Sequence, residues 1–459
     1  MINNNCVFEA KDTVEALAKA RGKGLVQSTH LVARSLARAT LLREEGRSDF
    51  TRLWPENAMA AAERQDRLAN GQTPSASPLA GLPVAVKDNC DVQRDVTQAG
   101  SQAFETALPA SRDADCVAKL RAAGAVIVGK TNMSEFAIAN TGENRTFGTP
   151  RNPLDTSRLV GGSSSGAAAS VASGSVIAAL GTDTGGSIRG PAALCGLAGF
   201  KPSERRVSSR GVTPLSHTFD TIGPIARTIT CCAIMDAALS DQLWRPLPDF
   251  PLRGILFGVP TTMVLDDLDS QVAETFSTTL QLLSSAGATI IEFPWSEIGG
   301  GRWRETYLII SKSEAYTDLG RVVEERRQVI EPHVVGEILS GSTVSMRKLA
   351  EALRFRESYV LEAHDLISRF HAILMPTVPI LAPPTSVLRD PEQTKKAEYL
   401  IGRNNEIANF FDCCAATVPC HSADQLPIGL QIIAKNGEDR RVLAISRSVE
   451  ATLNVTPGI

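Results

Sequence analysis

The sequence predicts an α/β fold: one large domain, residues 1–459, on a mixed, mostly parallel twisted sheet with helices on both faces. Three observations predict it. Short apolar runs of strand length, LPVAV at 82–86 and AVIVG at 125–129, each pass straight into a polar segment. The order strand, loop, helix then repeats through residue 200, the pattern of layered α/β proteins. No internal repeat and no long linker divides the chain.

The elements follow in order. Residues 12–44 and 55–69 carry Ala, Leu and Val at spacings of three and four, with Arg, Lys and Glu between, and read as helices. NGQTPSASP is a loop. LPVAV, a helix over 113–123 and AVIVG come next. Residues 165–173 read as a helix and 175–180 as a strand. LRGILFGVP, the helical DSQVAETFSTTLQLLSSAGA and TIIEFPW continue the pattern. Residues 302–370 turn helical and more charged. AILMPTVPI is strand-like, 401–411 helical, LPIGLQIIA a strand and RRVLAISRSVEATL a helix. Within the single domain, 1–75 supplies N-terminal helices, 76–235 a glycine-rich core, 236–370 a less patterned part, and 371–459 the closing strands and helices.

Composition narrows the function. A formal charge of −3 gives no electrostatic footprint for nucleic acid. Nine cysteines show no CxxC spacing, and the one histidine beside a cysteine, His421 after Cys420, belongs to no Cys/His cluster, so neither zinc nor any cofactor is expected. Reduced thiols in a cytoplasmic chain are the simple reading. The start, MINNNCVFEAKDTVEA, lacks the basic and apolar regions of a secretory signal. No apolar run reaches the ~18 residues of a spanning helix, so no membrane partner is expected.

The informative stretch is 161–200, GGSSSGAAASVASGSVIAALGTDTGGSIRGPAALCGLAGF. Two glycine-serine clusters sit inside a segment that otherwise reads as core. A flexible linker has nothing to bury, which AAASVAS and VIAALG contradict. Glycine alone, placed for close packing or positive φ, leaves the serines unexplained. A helix over 165–173 runs ~14 Å and a strand over 175–180 returns ~20 Å. Out and back by similar lengths, the clusters reach one end of the sheet, where Ser163 and Ser187, 24 residues apart, can meet. Backbone N–H groups of Thr184, Gly185, Gly186 and Ser187 then face the space between, as in an oxyanion hole.

A serine nucleophile needs a base. None of the six histidines, His30, His217, His333, His364, His371 and His421, lies in the stretch. A desolvated, neutral lysine is the alternative, and Lys87 follows LPVAV directly. Alone that is a weak signal, since a lysine after a strand is ordinarily a solvated edge residue.

LPVAVKDN, GGSSSG, GTDTGGSIRGPAALCGLAGFKPS and TFDTIGPIART, in this order and spacing, closely resemble the amidase signature family of amide hydrolases. GKTNMSEFA and GLPIGLQIIA look like its flanking segments. The resemblance runs from about residue 12 to residue 450 and is weakest over 235–370, the part expected to shape the substrate pocket. It implies the family's fold, with Lys87 as base, Ser163 as a relay on a cis peptide bond, Ser187 as nucleophile, and Thr184, Gly185, Gly186 and Ser187 as the oxyanion hole. It implies hydrolysis of a carboxylic amide or carbamate by a monomer or homodimer. The alternative it leaves is an ammonia-releasing component of an amidotransferase complex. GGSSSGA departs from the commoner GGSSGGS, and Gly190 stands where a larger apolar residue is usual.

The residues also leave rival readings open. Ser164 centres a G-x-S-x-G elbow, with His364 or His421 as remote partners. Ser345–Lys348 matches S-x-x-K. Asp183 and Arg189 read as a pair bracing the oxyanion turn, or Arg189 as a holder of a substrate carboxylate. Asp220 reads as structural.

Overall fold

The computed structural model describes residues 7–70 and 77–453. The loop read at Asn70–Pro78 lies mostly outside the described residues. Among the described residues, eleven strands form one sheet: β1 (Phe50–Leu53), β2 (Pro83–Lys87), β3 (Val126–Thr131), β4 (Ala178–Asp183), β5 (Ala198–Lys201), β6 (Thr221–Ala226), β7 (Leu256–Pro260), β8 (Thr289–Phe293), β9 (Ala372–Pro376), β10 (Cys413–Pro419) and β11 (Gly429–Lys435). Their order across the sheet is β1-β3-β2-β4-β6-β5-β10-β11-β9-β7-β8.

The sheet is mixed, as expected, but parallel pairing does not dominate. It is confined to β3-β2-β4 and β9-β7-β8. The other pairs are antiparallel. The physical reason lies in the connections. Parallel neighbours need a crossover, usually a helix, whereas β10 returns into β11 through nine helix-free residues.

Both faces of the sheet are covered. Val84 and Val86 of β2 pack into one hydrophobic cluster, and Ala85 between them packs into another on the opposite side. Leu180 and Ala179 of β4 divide the same way. A strand buried on both faces has no polar face to alternate with, hence the continuous apolar runs in the sequence. The second cluster is closed by the helix Ser165–Ala172, in which every residue is buried.

Several boundaries differ from the sequence reading. The helix expected over 12–44 is two helices, Val14–Gly22 and Ser28–Glu44. The break follows Gly24, whose φ of +69° is easy only for glycine. The strand expected at 175–180 begins three residues later, because Ser173 to Ser175 complete the turn after the helix. β1, β5, β6 and β10 did not stand out in the sequence.

Candidate active site

β2 carries Lys87 at its buried end. Side chains alternate along a strand, so Lys87 faces the same side as Ala85, toward the helix Ser165–Ala172. Ser163 lies just before that helix, after a cis peptide bond between Gly162 and Ser163. Lys87 Nζ is 2.8 Å from Ser163 Oγ and 2.8 Å from Thr182 Oγ1. Thr182 belongs to β4, the parallel neighbour of β2. All three side chains are buried. Burial of the amine, with no carboxylate in contact, pushes the Lys87 pKa down to about 7. A neutral lysine can accept from the Ser163 hydroxyl while donating to Thr182.

β4 runs directly into the second cluster. The two loops touch, since the Ser164 N–H donates to the Ser187 carbonyl at 3.2 Å. The helix out and the strand back therefore bring the clusters to one end of the sheet, despite the shifted strand boundary. Glycine is needed at both positions of the turn. A Cβ on Gly185 would lie 2.5 Å from the Tyr307 hydroxyl. One on Gly186, where φ is +114°, would lie 2.3 Å from Asn405 Cβ. Thr184, Gly185 and Ser187 line a cavity of about 920 Å³, within the range of small-molecule sites.

Of the four N–H groups expected to face that space, one is already taken. Gly186 N–H donates to Asp183 Oδ1 at 2.9 Å. Among the described residues, no protein group accepts from the N–H of Thr184, Gly185 or Ser187. Gly186 N–H is thus used to hold the turn and is not free to face the cavity.

Asp183 and Arg189 do pair. Arg189 Nη2 and Nε reach the two carboxylate oxygens at 2.8 and 3.1 Å, and both residues are fully buried. Asp183 also accepts from Ile188 N–H and from Asn409 Nδ2. Burial works to raise this carboxyl's pKa, but the Arg189 charge and hydrogen bonds outweigh it and hold it well below the usual carboxylate range. The remaining Arg189 donors go to Asn405, Asn409 and Gln431. None is left for a substrate carboxylate. Asp220 is a second brace: it accepts from Thr184 Oγ1 and from the N–H groups of Leu215 and Ser216.

The rivals find no support in the geometry. Ser164 Oγ donates to the Thr182 carbonyl and ties the helix start to β4. His364 Nε2 contacts the carbonyls of Phe411 and Asp412, and His217 pairs with Asp318. His421 packs beside Gly196, beyond the glycine-serine turn. Ser345 caps the helix Met346–Ile367 by accepting from the Lys348 N–H at 3.2 Å.

Sequence reasoning missed Thr182, Tyr307, Arg304, Glu406 and Asn409. The Tyr307 hydroxyl donates to the Thr184 carbonyl, and Asn409 Nδ2 donates to that of Asp183. One signal was available: GRNNEIAN places five charged or amide side chains in a stretch that leads, three residues on, into a buried strand. All five are buried.

A buried strand-borne lysine, set against hydroxyls beneath a cavity, is an arrangement of enzymes rather than of binding modules. The comparisons agree. The amidase family profile matches residues 30–443. A component of the glutamyl-tRNA(Gln) amidotransferase of Chloroflexus aggregans is 33% identical over 476 residues, covering 94% of each chain. A crystal structure of an amidase superposes with a TM-score of 0.86 at 31% identity, covering 96% of this chain and 99% of the other. The peptide amidase of Stenotrophomonas maltophilia gives 0.80 at 25% identity, covering 98% of each. The fold and these likenesses define an enzyme acting on amides. The chain belongs to the amidase family.

Proposed function

We propose that the chain cleaves a carboxylic amide through an acyl-enzyme, with Ser187 as nucleophile, Ser163 as proton relay and Lys87 as base. The observation that carries this reading is the 2.8 Å approach of a buried, readily deprotonated Lys87 to Ser163. Ser187 Oγ attacks the carbonyl carbon as its proton passes to Ser163, whose own proton passes to Lys87. The carbonyl oxygen, now negative, faces the N–H groups of Thr184, Gly185 and Ser187, donors already oriented and needing no reorganisation. Collapse breaks the C–N bond, and the proton returns through the relay to the leaving nitrogen. Water then repeats the attack on the ester, and Ser187 leaves protonated.

The curated relatives favour one form of this chemistry, release of ammonia from a primary amide within an amidotransferase complex. That form takes precedence here over the stand-alone amidase, and it replaces the monomer or homodimer with a larger assembly. Purified chain assayed on primary amides, anilides and carbamates separates the two. Ammonia release that requires a coexpressed partner supports the complex; turnover of anilides by the chain alone supports the amidase. Absence of any Ser187-dependent turnover under both conditions overturns the mechanism.

A further inference from the structure

The cavity above Ser187 is walled by charged side chains, and the way they pair is uneven. Glu337 meets Lys312 at 2.9 Å, and Glu143 and Glu331 share Arg145 at 3.0 and 3.3 Å. Glu398 accepts from the N–H groups of Asn140 and Thr141, and burial pushes its carboxyl up to about 7. Every carboxylate of the wall is thus satisfied. Arg389 and Lys395 are exposed at the same cavity and have no carboxylate within ion-pair distance among the described residues.

Arg304 is the least exposed of the paired cations at the wall. It comes from the helix Arg302–Arg326 and meets Glu406, of the helix Pro391–Phe410, through Nε at 2.7 Å and Nη2 at 3.2 Å. Its guanidinium lies over the Tyr399 ring, 4.8 Å from the centroid. Glu406 in turn abuts the oxyanion turn, its Cγ only 3.3 Å from where a Gly185 Cβ would stand. One edge of the guanidinium is therefore fixed by a carboxylate and one face by an aromatic ring. Nη1 has no protein acceptor among the described residues, although the side chain is 28% exposed and lines the cavity.

We infer that Arg304 is a specificity residue, and that the substrate is an acidic amide whose carboxylate lies against the free Nη1 edge while its amide carbonyl sits at the Gly185 turn. A guanidinium presents two parallel donors to a carboxylate, and fixing it beforehand removes the ordering cost at binding. Glu406 is the positioning residue that holds it. Arg389 and Lys395 add long-range attraction for an anion entering the cavity, an effect that salt screens. Arg189, the buried arginine beside the turn, has no donor left for this role. The inference takes its orientation from the reading of Ser187 as nucleophile.

The test measures binding rather than turnover. Ser187→Ala protein is titrated calorimetrically with malonamate, succinamate and glutaramate, and with the matching neutral diamides. At least one acid should bind about tenfold or more tighter than its diamide, the scale of a hydrogen bond to a charged group. In Ser187→Ala/Arg304→Gln that ratio should fall to near one. Because Arg304→Gln leaves Glu406 buried without its partner, Ser187→Ala/Arg304→Gln/Glu406→Gln is measured beside it and should lose the ratio equally. Equal binding of acids and diamides, a ratio that survives both changes, or no saturable binding of any acid overturns the inference. Persisting turnover in Ser187→Ala overturns the nucleophile assignment instead, and leaves the binding comparison readable.

Discussion

Lys87 Nζ lies as close to Thr182 Oγ1 as to Ser163 Oγ, 2.8 Å in each case. One amine therefore faces two hydroxyls with different roles. In the proposed mechanism Ser163 connects it toward Ser187, and Thr182 aims it. Asn89 Nδ2 also approaches Thr182 Oγ1, at 3.3 Å, and holds that hydroxyl in turn.

The Lys87 pKa of about 7 sets a pH dependence. In the proposed mechanism the active form is the neutral amine, present above that value and lost below it. The rate should rise with pH through about 7 and fall about tenfold per unit on the acid side. Lys87→Arg should lose activity at every pH, since a guanidinium cannot give up its proton. Near-native turnover in Lys87→Arg would place the base elsewhere.

Thr182→Val keeps the shape of the residue and removes the hydroxyl. Its loss affects the ammonium form of Lys87 more than the neutral form, because bonds from charged donors are stronger. The acid limb of the rate profile should therefore move to lower pH, with the maximal rate down about tenfold through poorer aim. An unmoved limb would show that Thr182 does not contact the base in solution.

Ser187→Ala should cost about 10³-fold or more in kcat while leaving the fold intact. A fluorophosphonate probe should mark Ser187, as peptide mass spectrometry will show. Ser164, whose hydroxyl is bonded to the Thr182 carbonyl, should stay unmodified. An adduct on Ser164 would restore the nucleophile elbow.

The Asp183–Arg189 pair is predicted to matter for stability first. Asp183→Asn leaves a fully buried guanidinium with no counter-charge and should destabilise by about 3–5 kcal/mol in urea unfolding. Asp183→Asn/Arg189→Met should be less damaging than the sum of its single changes. The sign with pH follows from the depressed carboxyl. The pair's contribution is fully present above the unfolded value, ~3.9, and declines as pH falls toward the lower folded one.

Ser345→Ala should lower stability by about 1 kcal/mol, the loss of a helix cap, and leave turnover unchanged. A large loss of activity would revive the S-x-x-K reading.

Much of this protein was determined locally. LPVAVK had to be a buried strand, because five successive side chains without a polar face need cover on both sides of a sheet. The two glycine-serine clusters read as the loops at the ends of the helix and strand between them, since runs of glycine and serine interrupt either element. The family pattern then put forward Lys87, Ser163 and Ser187 as the catalytic set, from three short motifs. The tertiary structure decided the rest, for reasons no local pattern carries. Strand direction depends on which connection is long enough to cross over, so the antiparallel centre of the sheet was invisible. Thr182, Arg304, Glu406 and Asn409 act through partners between 95 and 226 residues away. Spacing along the chain records none of those distances. Gly186 shows the same limit at close range: its N–H looks free in the sequence, and only the folded turn hands it to Asp183.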